Sequence, residues 1–558
     1  MIVYGDPSHE ASADALLGRV RQWTDMASVG LDARRRLLIE AGQLEQAVAD
    51  RLEGGALVER VMNVTDLAAD AFLDRSRLGP LRKALVGIDL PADLTMRVKV
   101  PEGYAFYALY PEQYAEAARR WVRDHADAAS RRAAVVGIRS IGTGLSAVAA
   151  RVLAEAGWTV RRLTVRPTGH PYARHVEIPR EVVQGAVFGL VADEGPGLSG
   201  SSMAAAAEAL VEAGLDRSRI GFFPGHDRGP GDAGSDGVRQ WWRDAPCYVV
   251  GLREMAWEGQ SLVEELAYRS GSAVRVDDLC GGTWRRAVYS SEDEWPPAFA
   301  AFERTKYRVV RRDGSALLWK FEGLTGGAEA GRDRMAWLAR RGWTAAPLDS
   351  AHGFLASPWI EGKPLARESR SAAVLDRIGC YIVDGAGPEL SVSEQKAALE
   401  RLREMLYWNV RESFGEAVAE RMRRWKARVP ARSRPAYGDG RLGPEEWIRR
   451  TDGRLIKVDC AGHSADHTAV GRQPLIWDLA GAMVEWRLDN ETARPLLKAF
   501  VRAGGEPPAS EELAFYRAAY AAFRLGQCAI CAGTSGPDEQ RRLRRAGEFY
   551  KIGGRLAD

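Results

Sequence analysis

The segment Val187–Met203 reads VFGLVADEGPGLSGSSM and combines an apolar run, two adjacent carboxylates, a glycine- and serine-rich loop and the start of a helix. The apolar run predicts a buried strand that ends at Asp193 and Glu194. Apolar residues after Met203 recur with helical spacing as far as Gly214, which ends the helix. Backbone N–H groups at a helix start favour an anion, and carboxylates beside them accept sugar hydroxyls or bind through Mg²⁺. We therefore predict a site for a phosphorylated sugar in this segment.

The sequence on either side of this segment alternates between strand and helix patterns. Residues 133–138 (AAVVGI) predict a strand, 139–144 (RSIGTG) a tight loop, 145–157 an amphipathic helix and 158–165 a second strand. A further strand, RIGFFPG, follows the helix of the opening segment. This alternation predicts a doubly wound parallel sheet, in which ligands lie at the carboxyl ends of the strands. We expect the loop 139–144 and the segment 193–202 to face one crevice.

Two of these stretches resemble a known family. VADEGPGLSGSS (191–202) resembles the phosphoribosyl pyrophosphate (PRPP) motif of type I phosphoribosyltransferases, and GIRSIGTGLS (137–146) resembles their pyrophosphate loop. The resemblance implies that Asp193 and Glu194 hold the ribose hydroxyls and serve catalysis. It also implies that PRPP, with Mg²⁺, is held by Arg139, Ser140, Ile141, Gly142, Thr143, Gly144, Gly197, Ser199, Gly200, Ser201 and Ser202.

The loop is about one residue longer than the family motif, and Gly195-Pro196-Gly197 is the unusual insert. An unrelated phosphate-binding loop is therefore the alternative interpretation.

A basic stretch, TVRPTGHPYARHVEIP, lies between the two motifs. Arg166, His170 and Arg174 in this stretch would suit a mobile loop that closes over pyrophosphate and neutralises the leaving charge. The alternative interpretation is a basic surface connection. His226, after the third strand, either joins the site or lies in a solvated turn.

The second half of the chain changes pattern near Tyr307. Residues 306–323 (KYRVVRRDGSALLWKFEG) predict two strands joined by an Asp-Gly turn. The stretches that follow are EAGRDRMAWLARRG, HGFLASPWIEGKPL, AYGDGRLGPEEW, GRLIKVDCAGHSADH and PLIWDLAGAMVEW. In this order they resemble the aminoglycoside-phosphotransferase-like branch of the protein-kinase fold.

This second resemblance implies an ATP site. Lys320 matches the strand lysine that pairs with nucleotide phosphates, and Glu329 is the predicted partner of its ammonium group. Glu329 as a surface residue in a first helical turn is the alternative. Trp359 and Ile360 match the hinge at which adenine docks.

The resemblance also implies a catalytic centre. Asp439 matches the base, and Asp459 and Asp466 are the predicted metal ligands. Two family residues are replaced here, the histidine by Tyr437 and the metal-binding asparagine by Pro444. Glu446 or Asp466 would have to supply the missing ligand; otherwise, this half is a nucleotide-binding relic.

Taken together, these patterns predict a multidomain α/β protein. Residues 1–95 are expected to form a helical N-terminal segment, 96–285 a phosphoribosyltransferase-like domain with a doubly wound parallel sheet, and 286–558 a bilobal α+β kinase-like domain. Within the helical segment, Glu40, Glu45 and Asp50 are expected on solvated helix faces rather than in a site.

Length and charge limit the classes of protein to which the chain can belong. A chain of 558 residues is too long for a single hydrophobic core of ordinary size. Its 78 basic side chains barely exceed its 75 acidic ones. The net charge of +3 therefore gives no reason to expect nucleic acid or membrane partners. Six cysteines in this length fit a reducing cytoplasm, where we expect the protein to bind small phosphorylated sugars and nucleotides.

Two functional hypotheses follow from the paired motifs. The first is a bifunctional enzyme that uses PRPP, with Mg²⁺ and release of pyrophosphate, and that transfers phosphate from ATP to a small molecule such as the ribosyl product. The second is a regulatory protein that senses PRPP or nucleotides through a degenerate kinase-like domain.

Overall fold

The computed structural model of the chain describes residues 1–3, 5, 7–91, 93–197, 199–231, 234–257, 259–423, 429–436, 438–462, 467 and 470–553. The chain folds into two compact units. The N-terminal unit comprises Pro7–Arg269 and Gly323–Thr325. The C-terminal unit comprises Met1–Asp6, Ser270–Glu322 and Gly326–Asp558.

The N-terminal unit is a mixture of helices and short strands. Its strands are β1 (Ser8–Ser12), β2 (Thr95–Lys99), β3 (Arg132–Ile138), β4 (Thr159–Val165), β5 (Thr168–His170), β6 (Ala173–His175), β7 (Phe188–Ala192), β8 (Ile220–Phe223), β9 (Ala256–Trp257) and β10 (Gln260–Ser261). Its helices are α1 (Ala13–Met26), α2 (Leu31–Leu52), α3 (Ala56–Leu73), α4 (Leu78–Val86), α5 (Glu102–Phe106), α6 (Pro111–Asp124), α7 (Ile141–Glu155), α8 (Arg180–Val183), α9 (Ser201–Glu212), α10 (Asp236–Asp244) and α11 (Leu262–Arg269).

A four-stranded parallel sheet in the order β4-β3-β7-β8 forms the centre of this unit. Successive residues of β3 point to opposite faces, so Ala133 and Val135 pack into one hydrophobic cluster and Ala134 and Val136 into another. Burial on both faces explains the unbroken apolar strands in the sequence. The chain leaves β3 for β4 on one side and returns to β7 on the other, which makes the β3–β7 gap a topological switch point.

The helices of residues 1–95 do not form a separate segment. Helices α2 and α3 pack Leu37, Leu38 and Val64 into the same cluster as one face of the sheet. Because these helices cover the sheet, Glu40 and Glu45 are buried, and the expected solvated face is not found there.

The C-terminal unit begins with strands and continues with helices. Its strands are β11 (Ala273–Asp278), β12 (Lys306–Arg311), β13 (Ala316–Phe321), β14 (Asp349–Ala351), β15 (Phe354–Pro358), β16 (Lys363–Pro364), β17 (Glu389–Leu390), β18 (Arg434–Pro435), β19 (Trp447–Arg449) and β20 (Leu455–Lys457). Its helices are α12 (Arg285–Val288), α13 (Gly327–Arg340), α14 (Ala372–Asp384), α15 (Val392–Phe414), α16 (Glu416–Met422), α17 (Ile476–Glu485), α18 (Arg494–Arg502), α19 (Ser510–Thr534) and α20 (Pro537–Gly553).

An antiparallel five-stranded sheet, in the order β11-β12-β13-β15-β14, forms the first part of this unit. The predicted Asp-Gly turn joins β12 to β13, with Gly314 in the left-handed region at φ 85°. Because β11 pairs with β12, and Trp319 Nε1 donates to Ser270 Oγ at 2.8 Å, the unit starts at Ser270 rather than at the expected residue 286.

The helical remainder of this unit has two hydrophobic clusters, centred on α15, α17 and α19 and on α14, α17 and α18. Within the described residues, no helix has the length and apolarity needed to cross a membrane.

Candidate functional site

The parallel sheet brings the two predicted ligand segments together. Gly137 of β3 and Ala192 of β7 are register partners, so the segments that follow them leave the sheet side by side. The first turn of α7 packs against the end of β7, where a Cβ atom on Gly142 would lie 2.5 Å from the carbonyl oxygen of Ala192. Glycine at this position therefore permits the close approach of the two segments.

Two helix N-termini open at this edge of the sheet. Helix α7 follows Ser140 and helix α9 follows Gly200, and neither N-cap residue provides a side-chain hydrogen bond to its helix. The first N–H groups of such a helix need a partner from outside it, and an anion is a favourable one. Ile141 and Thr143 are buried, so contacts from this turn to a ligand have to come from its backbone.

Neutral groups contact the two acidic residues at the end of β7. Glu194 Oε2 accepts a hydrogen bond from Gly103 N at 2.6 Å, and Tyr114 Oη donates to the backbone carbonyl of Asp193 at 2.8 Å. Within the described part of the chain, neither carboxylate has a cationic partner in an ion pair. Burial raises the pKa of Asp193 to about 7. Burial, together with the negative charge of Glu102, raises the pKa of Glu194 well above its usual range.

The serine loop contacts the β5–β6 hairpin. Ser199 Oγ and Ser201 Oγ each donate to the carbonyl oxygen of Pro171 at 2.8 Å, and the two hydroxyl oxygens are 2.9 Å apart. Pro171 lies at the turn between the two hairpin strands. The structure therefore places the predicted closing stretch directly against the predicted phosphate loop.

The basic residues of the predicted site have internal partners. Asp50 on α2 accepts hydrogen bonds from both Arg139 and Arg166. Arg174 Nη1 donates to Gly169 O at 2.7 Å within the hairpin, and Tyr172 N donates to Nδ1 of the exposed His170 at 3.3 Å. Arg166 is thus part of the unit's interior framework rather than of a mobile loop.

His226 lies just beyond the end of β8. The amide of the preceding residue, Gly225, donates to Glu194 O at 3.2 Å. Burial, with a smaller effect of Arg228, lowers the pKa of His226 and favours the neutral imidazole.

The C-terminal unit contains a cavity of about 230 Å³ that gathers most of the predicted nucleotide residues. Its walls are largely apolar and aromatic, with Trp284, Phe299 and Met335 among them. The predicted residues that line it are Lys320, Trp359, Ile360 and Asp459, together with Glu446. The guanidinium carbon of Arg308 lies 4.8 Å from the ring centre of Trp359.

Lys320 binds two carboxylates in this cavity. Its ammonium group hydrogen-bonds to Asp459 Oδ1 and lies 3.2 Å from Glu322 Oε1. The expected partner, Glu329, is instead exposed in the first turn of α13. The reason is strand geometry: Glu322 is two residues from Lys320, so both side chains leave the chain on the same side.

Asp439 is buried beneath this region and does not line the cavity. Its Oδ2 atom accepts a hydrogen bond from Tyr381 Oη at 2.5 Å and lies 3.0 Å from Lys457 Nζ. The backbone N–H groups of Asp439 and Gly440 donate to Asp478, at 3.3 Å and 2.8 Å. Burial and the charge of Asp439 raise the pKa of Asp478 to about 7.

Two carboxylates in the cavity suit a divalent cation. Glu446 Oε2 lies 2.6 Å from Lys457 Nζ, and Asp459 has a left-handed backbone with φ 56°. Asp466, the other predicted ligand, lies outside the described residues. Among those residues, no cluster of three or more His, Cys, Asp or Glu side chains is arranged to hold a metal by itself. Mg²⁺ commonly binds through one or two carboxylates with substrate phosphates, so Asp459 and Glu446 fit that requirement.

No protein-family model matches the sequence, and no curated protein matches it. Solved structures with partial likeness include a choline kinase from Streptococcus pneumoniae, with 16% identity, 52% of this chain and 98% of that chain covered, and a TM-score of 0.34. A macrolide 2′-phosphotransferase from Brachybacterium faecium has 18% identity, coverage of 50% and 96%, and a TM-score of 0.35. A putative fructosamine-3-kinase from Thermobifida fusca has 14% identity, coverage of 52% and 99%, and a TM-score of 0.29. Likenesses of this size do not by themselves assign a family or an activity to the chain.

Proposed function

We propose that the C-terminal unit transfers a phosphoryl group from a nucleotide to a small molecule, and that the N-terminal unit binds PRPP. The phosphotransfer proposal is supported mainly by one observation: Lys320 and Asp459 meet in an apolar cavity beside Trp359 and Ile360. An ammonium group, a carboxylate and apolar walls are what the phosphates, the metal and the base of a nucleotide require.

In this proposal each residue has a distinct role. Lys320 neutralises nucleotide phosphates, and the apolar walls beside Trp359 hold the base and exclude water. Asp459, with Glu446, would hold Mg²⁺, which neutralises charge on the transferred phosphate when bound. Asp439 is the proposed base, and its contacts with Tyr381 and Lys457 have to open before it reaches an acceptor hydroxyl.

PRPP binding in the N-terminal unit is supported by a different observation. Two helix N-termini whose N-cap residues give no side-chain hydrogen bond, and two carboxylates that form no ion pair with the described residues, lie at one topological switch point. The N-termini suit a pyrophosphate and a 5′-phosphate, and Asp193 and Glu194 suit ribose hydroxyls with Mg²⁺. Transfer of the ribosyl group with release of pyrophosphate is the corresponding proposed reaction.

A regulatory function is the second candidate, and the self-contained charge pairs of the C-terminal unit favour it. Lys320 is already bonded to Asp459, and Asp439 to Lys457. Such a unit would bind nucleotide without turnover.

Transfer of labelled phosphate from ATP to a panel of ribose compounds tests the first proposal. We expect labelled product with the wild-type chain, and about 100-fold less with Asp459→Asn, because the proposed ligand of the Mg²⁺ that neutralises the transferred phosphate is lost. Asp452→Asn is the matched control, because Asp452 is an exposed carboxylate of the same unit that pairs with Arg454. Tight nucleotide binding with no transfer to any acceptor would support the regulatory function instead.

Calorimetric titration with Mg²⁺ and PRPP tests the second proposal. We expect binding that the double variant Asp193→Asn/Glu194→Gln abolishes. Asp216→Asn changes an exposed carboxylate of the same unit and should leave binding intact. Absence of PRPP binding by the wild-type chain would contradict the proposal.

A further inference from the structure

We infer that Asp50 and Arg166 are positioning residues, which hold the segment 139–144 in the conformation that receives the diphosphate of the ligand. This inference rests on the proposed PRPP site and adds to it two residues that do not contact the ligand. The two residues come from different elements, since Asp50 is on α2 and Arg166 follows β4.

Asp50 is the centre of a compact set of charged hydrogen bonds. It accepts from Arg166 through Nε at 3.1 Å and through Nη2, and from Arg139 Nη1 at 3.2 Å. Gln46 Nε2, one turn earlier on α2, donates to the same carboxylate at 2.7 Å. A carboxylate that accepts two hydrogen bonds from one edge of a guanidinium group fixes the orientation of that group.

Arg166 transmits this orientation to the backbone of the segment. Its remaining terminal nitrogen, Nη1, donates to the carbonyl oxygen of Arg139 at 2.6 Å. That carbonyl belongs to the peptide group that joins Arg139 to Ser140. Asp50 therefore acts on the backbone of the segment through one intervening side chain.

The peptide that Arg166 holds precedes a strained residue. Ser140 has φ 136° and ψ −111°, in a region that a residue with a Cβ atom rarely adopts. Such a conformation persists only where surrounding contacts impose it. Ser140 itself contributes a hydroxyl contact to Val100 O at 3.4 Å. The short hydrogen bond from Arg166 is thus a main restraint on the turn that opens α7.

Helix α2 is a rigid base for Asp50. A Cβ atom on Gly42 would lie 3.3 Å from the backbone nitrogen of Gly144, so α2 packs closely against the first turn of α7. Asp50 follows about two turns later on the same helix. The helix that carries the restraint is therefore fixed directly against the element that the restraint serves.

The contacts of Arg139 favour positioning over blocking. If Asp50 only occupied the place of an anion, its loss would free Arg139 for the ligand. Arg139 also donates to Thr164 Oγ1 at 3.4 Å, to Thr164 O at 3.2 Å and to Ala49 O at 3.4 Å. It would thus remain attached to the protein without Asp50.

Asp50→Asn in the full-length chain tests the inference, with Asp66→Asn as the matched control. Both carboxylates pair with arginines of the same unit, and their side chains are 24% and 25% exposed. Asp66 pairs with Arg162, which also donates to the carbonyl oxygen of Thr143 at 3.4 Å and keeps its second carboxylate, Glu45, when Asp66 is changed. In Asp50→Asn, by contrast, Arg166 loses the carboxylate that orients it, so the two substitutions differ in whether the arginine that contacts the segment remains held by a carboxylate.

Two measurements are made on these variants. Hydrogen exchange of the amides of residues 139–144, in protein without ligand, should be faster in Asp50→Asn and unchanged in Asp66→Asn. Affinity for PRPP with Mg²⁺ should fall at least about tenfold in Asp50→Asn and stay unchanged in Asp66→Asn, as expected for a lost charged hydrogen bond.

Unchanged exchange in Asp50→Asn, or tighter PRPP binding, would overturn the inference. If the wild-type chain itself fails to bind PRPP, the proposed function fails, and the exchange measurement still decides whether Asp50 restrains the segment. Arg166→Lys retains the charge but not the paired contacts, and it should reproduce both effects if Asp50→Asn does not fold.

Discussion

The two candidate sites differ in how their carboxylates are neutralised. In the C-terminal unit, Asp459 is paired with Lys320, and Asp439 and Glu446 are paired with Lys457. In the N-terminal unit, neither Asp193 nor Glu194 forms an ion pair with a cation of the described residues, and burial raises the pKa values of both. The carboxylates of the first site thus have lysine partners within the protein, whereas those of the second would gain more from a ligand that brings a cation. Carboxylates of the two candidate sites are therefore accommodated in different ways, by lysine partners in one unit and by a raised pKa in the other.

The largest expected effect concerns Lys457, which is entirely buried between Asp439 and Glu446. Lys457→Met leaves a buried carboxylate without its cation and should lower the free energy of unfolding by about 3–5 kcal/mol. Urea unfolding of the C-terminal unit measures the change.

The control is Arg454→Met, which removes an exposed pair with Asp452 and should cost less than about 1 kcal/mol. An equal decrease in the free energy of unfolding of the two variants would show that the buried ion pairs of Lys457 stabilise this unit no more than an exposed pair does.

Gly142 gives the next largest expected effect. Gly142→Ala puts a Cβ atom 2.5 Å from the carbonyl oxygen of Ala192, so α7 and β7 have to separate, at about 1–3 kcal/mol of stability. Gly144→Ala is the control, because its nearest neighbour, Leu38 Cγ, would be at an ordinary 3.6 Å. The temperature of thermal unfolding and the affinity for PRPP should both fall in Gly142→Ala and stay unchanged in Gly144→Ala. A Gly142→Ala protein as stable as Gly144→Ala would refute the close approach of the two segments.

The carboxylate pair predicts an unusual pH dependence. Because burial raises the pKa of Asp193 to about 7, the unfolded chain releases this proton at lower pH than the folded chain does. The contribution of Asp193 to stability is therefore present below about pH 4 and is lost as the pH rises to about 7. The free energy of unfolding of Asp193→Asn, relative to that of the wild type, should thus rise between pH 4 and pH 8.

Urea unfolding at both pH values measures this gain. For Asp216, hydrogen bonds from Ser218 lower the pKa, so Asp216→Asn should show the opposite sign. A stability difference between Asp193→Asn and wild type that is the same at pH 4 and pH 8 would contradict a raised pKa at Asp193.

The smallest effect distinguishes the two candidate partners of Lys320. Glu322→Gln should weaken nucleotide binding by roughly three- to tenfold, because Lys320 loses one of the carboxylates that orient its ammonium group. Glu329→Gln should leave affinity unchanged, since Glu329 is exposed on α13. Fluorescence titration with a labelled nucleotide measures both. The reverse ranking would restore Glu329 as the functional partner.

Local patterns in the sequence were sufficient to predict the loops at the sheet edge. The apolar runs before Arg139 and before Asp193 are strands buried on both faces, and their carboxyl ends are adjacent because the strands are parallel neighbours. The Asp-Gly turn before Lys320 is equally local, since it depends on two residues and the strands beside them.

Residues whose role depends on distant contacts could not be predicted in this way. Asp50 and Glu45 fit the polar face of a surface helix, and only the packing of α2 against the sheet reveals that Asp50 meets arginines directly after β3 and β4 and that Glu45 meets an arginine of β4. The start of the C-terminal unit was missed for the same reason, because β11 is recognisable as part of it only by its pairing with β12. The ion pair between the buried Asp439 and Lys457 likewise depends on contacts between separate segments.

The most direct test of the central claim, that each unit has its own phosphate-ligand site, is a crossed calorimetric titration of the full-length chain. Wild type, Lys320→Ala and Asp193→Asn/Glu194→Gln are each titrated with a non-hydrolysable ATP analogue and with PRPP, both with Mg²⁺. We predict that Lys320→Ala loses only the nucleotide and that the double variant loses only PRPP. Loss of both ligands in one folded variant, or failure of the wild type to bind either ligand, would contradict the claim.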